Sequence, residues 1–74
     1  MPERCHIYQH VQDDRTGRRV RDPEPVKVID GAHSPAVVLS VFFEDEDPPA
    51  GMYTAECEVA GRLRCVTQFW ERAA

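Results

Sequence analysis

The sequence predicts a small all-β domain of about five short antiparallel strands, arranged as a meander or as a small SH3-like or OB-like barrel. Three observations carry this. Tyr53, Ala55, Cys57, Val59, Leu63, Cys65 and Phe69 alternate with Thr54, Glu56, Glu58, Arg62, Arg64 and Gln68. Cys5, Ile7 and Val11 alternate in the same way with His6, Tyr8 and His10. Successive side chains of a strand point to opposite faces, so such alternation marks half-buried strands. Turn chemistry separates the apolar runs, and the reading finds no sustained helical period.

The first strand is expected over Cys5–Val11. Asp13-Asp14 and Thr16-Gly17 then supply turn residues within 12–19. The second strand is expected over Val26–Ile29. The prolines of Asp22-Pro23-Glu24-Pro25 before it lack ladder donors and place it at a sheet edge. Asp30-Gly31 turns the chain, and residues 32–35 extend the loop. Ala36–Phe43 reads as the central strand, with Val37, Leu39, Val41 and Phe43 on its stronger face, because Val and Phe favour strands.

Residues 44–51 form the next loop, and a C-terminal hairpin follows. A three-residue turn, Val59-Ala60-Gly61, opposes Glu58 to Arg62 and Glu56 to Arg64, and is preferred to a two-residue turn that mixes apolar and charged faces. The rival turn, Ala60-Gly61-Arg62, would set Cys57 opposite Cys65. The chain is expected to fray at both ends, with 71–74 as a tail; a short helix over 67–74 is the alternative.

Seventy-four residues make one small domain with a thin core. The formal net charge of −4 opposes free-standing binding to a nucleic-acid backbone, where basic side chains must replace counterions. Three cysteines and no apolar leader core in residues 1–6 suggest a cytoplasmic protein with reduced thiols. No apolar run approaches the ~20 residues of a membrane span.

Cys5, His6, His10, His33, Cys57 and Cys65 lack the paired spacing of zinc modules. On a strand, His6 and His10 stand about 13 Å apart, too far for one ion. Cys57 and Cys65 read as small core hydrophobes. No metal site, cofactor or catalytic residue is expected. Two charge clusters remain. Glu44, Asp45, Glu46 and Asp47 form an acidic loop, and Arg15, Arg18, Arg19 and Arg21 form a basic turn diluted by Asp13, Asp14 and Asp22. Trp70 falls on the face away from the core, where an exposed Trp suits protein recognition.

The expectation is therefore a non-enzymatic, acidic protein-binding module. It would use Glu44–Asp47 with Trp70 or with Arg18 and Arg19, and its partner would present a basic surface. One form is a phage-like inhibitor that competes with nucleic acid for a basic groove. The alternatives are a nucleic-acid-binding barrel using the Arg15–Arg21 turn, and a metal or thiol enzyme.

Overall fold

The computed structural model describes residues 3–31 and 33–71. Half of the chain is strand, in five antiparallel strands curled into a half-barrel, as the alternation predicts. The elements are β1 (Arg4–Gln12), β2 (Arg19–Arg21), β3 (Lys27–Asp30), α1 (Pro35–Glu46), β4 (Gly51–Val59) and β5 (Arg62–Trp70). β1 is central. One of its edges carries β4, and β5 lies beyond β4. The other edge is shared: β3 pairs with residues 4–7 and β2 with residues 10–12. β2, which the turn reading of 12–19 and the prolines beyond it concealed, is the strand that the sequence reading missed. Of the tail expected over 71–74, residues 72–74 lie outside the described residues, as does the start of the chain at 1–2. Thr67–Trp70 is strand, not the start of a helix.

Ala36–Phe43 is not a strand. It belongs to α1, whose twelve residues make more than three turns and cover one face of the sheet. The buried residues are Pro35, Val38, Leu39, Phe42 and Phe43, spaced i, i+3, i+4, i+7, i+8 as a helix facing a core requires. Val37 and Val41, expected inside, are 58% and 49% exposed. They make the helix apolar on two sides, which hides its period in the sequence. Its ends are legible in retrospect. Ser34 occupies the N-cap position and Pro35 the first turn, where a missing N–H costs nothing. Asp47 closes the helix in the left-handed region (φ 42°) and donates its N–H to the Phe43 carbonyl. Pro48 and Pro49 then forbid continuation.

The core lies between α1 and the odd-numbered residues of β1 and β4. Cys5, Ile7, Tyr53, Ala55 and Cys57 are almost wholly buried there against Val38, Leu39, Phe42 and Phe43. Tyr53 meets both phenylalanine rings edge-on, at 5.7 and 5.6 Å between centroids. Its hydroxyl donates to the Pro49 carbonyl at 2.6 Å, which ties the helix-to-strand loop to the core. Cys5 and Cys57 stand opposite each other on β1 and β4 and are joined by a disulfide. Cys57 is buried as expected, but it is not a free thiol; the partner lies on β1, which no reading of the hairpin alone reaches.

The hairpin turn has two residues, with Val59 opposite Arg62. Ala60 (φ 52°) and Gly61 (φ 75°) both take positive φ, the turn whose twist matches that of paired strands. The expected three-residue turn and its Glu58–Arg62 and Glu56–Arg64 pairs do not form; nor does the rival Cys57–Cys65 pair. Instead Cys57 opposes Arg64 and Ala55 opposes Val66. The consequence runs along all of β5. Its even residues share the helix side with the odd residues of β4, and its odd residues lie on the open face. Leu63, Cys65 and Phe69, read as core, are exposed.

Candidate functional site

The residues singled out in the sequence fall into three places. Glu44, Asp45 and Glu46 occupy the last turn of α1, and Asp47 is its C-cap, so the acidic run is not a loop. A helix C-terminus already carries partial negative charge, which disfavours carboxylates there by roughly 0.3–1 kcal/mol each at the surface. No basic residue stands in that turn. Lys27 reaches across from β3 to Glu46 at 3.3 Å. Glu44 and Asp45 remain exposed.

Those two acids continue a line along the helix. Val37, Val41, Glu44 and Asp45 are spaced i, i+4, i+7, i+8 and so share one outward face. Beside the two valines, Ile29, His33 and Val38 complete a shallow groove of about 160 Å³. The His33 ring donates to the Asp30 carbonyl at 3.1 Å, which holds it at the end of the groove. An apolar strip thus leads into a carboxylate cluster. The sequence reading found the acids and missed Val37, Val41, Ile29 and His33; the signal was the helical spacing that the two valines obscured. A second cleft of about 280 Å³ lies at the other end of α1, lined by His33, Ser34, Pro35, Val59 and Arg64.

Trp70 is not an exposed anchor. It is half-buried on the helix side and packs on the core, because the two-residue turn assigns even residues of β5 to that side. The basic cluster is divided. Arg15, Arg18 and Arg19 are exposed at the β1–β2 turn and at the start of β2. The turn is held by local bonds: Gly17 N–H to the Asp13 carbonyl at 2.7 Å, and Arg15 N–H to the Asp13 carboxylate at 2.8 Å. Arg21 is engaged on the open face of the sheet. Its guanidinium pairs with Glu56 and lies 4.3 Å over the Tyr8 ring. The hydrogen bond to Glu56 raises its pKa above the ordinary arginine value.

That open face also carries a polar line, with His10 Nε2 2.7 Å from Thr54 Oγ1 and Thr54 Oγ1 2.8 Å from Thr67 Oγ1. Cys65 stands near Glu56 on this face. Desolvation of its sulfur, with the neighbouring carboxylate adding to it, pushes the thiol pKa up, the reverse of what an activated nucleophile needs. Among the described residues no three His, Cys, Asp or Glu side chains converge as a metal-binding group. Nor is any helix long and apolar enough to cross a membrane. The Cys5–Cys57 bond corrects the expectation of wholly reduced thiols.

Comparison with family models, with curated proteins and with solved structures finds no match to this chain.

Proposed function

We propose that this chain is an acidic protein-binding module whose recognition surface is the outer face of α1. The partner presents a basic surface with an apolar projection beside it. The observation that supports this reading is the alignment of exposed Val37 and Val41 with Glu44 and Asp45, at the helix end where carboxylates are least favoured. Exceptions to local rules concentrate at functional surfaces. The valines supply the area that excludes water, and the carboxylates steer approach and reject acidic competitors. An inhibitor that displaces nucleic acid from a basic groove is one form of such a module, since surface carboxylates can occupy the positions of phosphates.

The test is affinity capture with wild type and two variants, Glu44→Lys with Asp45→Lys, and Val37→Asp with Val41→Asp. All four side chains in question stand outside the core, so both variants should fold. The charge-reversed variant should also unfold at a slightly higher temperature, because Lys complements the helix dipole. The expected result is a partner held by wild type, released by salt and lost by both variants. Undiminished capture of that partner by the two folded variants would remove the helix face from the function.

A further inference from the structure

The two edges of the sheet are built differently. On one side β2 and β3 are only three and four residues long, and Pro23 and Pro25 interrupt the chain between them. Short strands and prolines are the usual protection of an edge against strand pairing. On the other side β5 runs for nine residues, Arg62–Trp70, with no proline and, among the described residues, nothing beyond it in the sheet. Its tight turn makes Val59 and Arg62 the first hydrogen-bonded pair, and such pairs recur at every second residue. The backbone groups of 62, 64, 66, 68 and 70 therefore face β4. Those of Leu63, Cys65, Thr67 and Phe69 point away from it.

We infer that β5 pairs antiparallel with β5 of a second copy of this chain, in the register centred on Val66. The sequence of the strand is complementary to itself in that register. Leu63 falls opposite the partner's Phe69, and both are large apolar side chains left 65% and 56% exposed on the open face. Cys65 falls opposite the partner's Thr67. On the helix side Arg64 meets the partner's Gln68, and Arg62 meets the ring of the partner's Trp70, a cation–π geometry. The basic end of each strand thus lies against the uncharged end of the other. The pairs 63–69 and 65–67 bring together the residues whose N–H and C=O groups point outward, so each exchanges two hydrogen bonds. Val66 meets the partner's Val66 at the two-fold axis, as an isologous interface requires. The result is one sheet continuous across both chains. The helix face carrying Val37 and Val41 takes no part in it.

Sedimentation equilibrium tests this over a concentration series reaching the millimolar range. Wild type should shift from the 8.4 kDa chain mass to twice that mass. Leu63→Lys combined with Phe69→Lys sets like charges opposite each other in this register and should abolish the shift. Leu63→Lys combined with Phe69→Glu sets opposite charges together at the same two positions and should retain it. Both positions lie on the open face, and circular dichroism verifies the fold of each variant. In wild type, amide exchange at residues 63, 65, 67 and 69 should slow as concentration rises, while that at 64, 66 and 68 stays constant. A wild type that remains monomeric throughout overturns the inference and leaves the edge to a strand from another protein. Equal behaviour of the two charged variants overturns the register, as does exchange at 63, 65, 67 and 69 that ignores concentration.

Discussion

The indole of Trp70 lies flat on the ring of Phe43, with centroids 4.8 Å apart and planes 12° from parallel. This contact joins the last residue of β5 to the last buried turn of α1. It fixes the outermost strand to the helix; among the apolar residues of β5, partly buried Val66 is the other that packs on the core. Replacing Trp70 by Ala should cost roughly 2–3 kcal/mol, less than the 3–5 kcal/mol of a fully buried aromatic residue. Chemical unfolding followed by circular dichroism measures it. An unchanged midpoint would show that the stacked pair does not anchor the strand.

The helix separates two residues that a strand would have placed on the same face. Leu39 is fully buried and Val41 is half exposed. Leu39→Ala should destabilise by about 2–5 kcal/mol. Val41→Ala should stay within about 0.5 kcal/mol, as surface substitutions do. Similar unfolding midpoints for the two variants would return residues 36–43 to a strand.

The disulfide spans 52 residues of sequence. Restraining a loop of that length in the unfolded chain stabilises the native state by about 2–4 kcal/mol. Peptide mapping without reductant should recover Cys5 linked to Cys57. Thiol reagents should label Cys65 in the folded protein and leave the other two untouched. Adding reductant should lower the unfolding temperature. Equal labelling of all three cysteines in the native state would exclude the bond.

Burial raises the pKa of the Tyr53 hydroxyl above its ordinary value of 10.0. Between that value and the raised one, the unfolded chain has released the proton and the folded chain still holds it. Stability is therefore full below pH 10.0 and falls as pH rises through the native value. Tyr53→Phe removes the titration, and with it the bond to Pro49, at a cost near 1 kcal/mol at neutral pH. Urea unfolding between neutral and alkaline pH should give a shallower alkaline decline for the variant. Parallel declines would assign the effect to other groups.

The sequence by itself determined the strand-rich character of the chain, the positions of β1, β3 and the hairpin, and the presence of a turn at Ala60-Gly61. Alternation and turn residues are local properties, and each survives in the folded molecule. The helix was legible too, in Ser34-Pro35 at its start, Asp47-Pro48-Pro49 at its end and the buried spacing between them. Val37 and Val41 obscured it, because exposed apolar residues erase the contrast on which periodicity depends. Only the tertiary structure decided which face of β5 is inside. A shift of one residue in the turn moves every side chain of that strand to the other face, and local charge pairing pointed to the wrong register. The structure put Trp70 against Phe43, exposed Leu63 and Phe69, joined Cys5 to Cys57 and placed the acidic run at a helix end. Each of these depends on pairings between segments distant in the chain, which local propensity cannot specify.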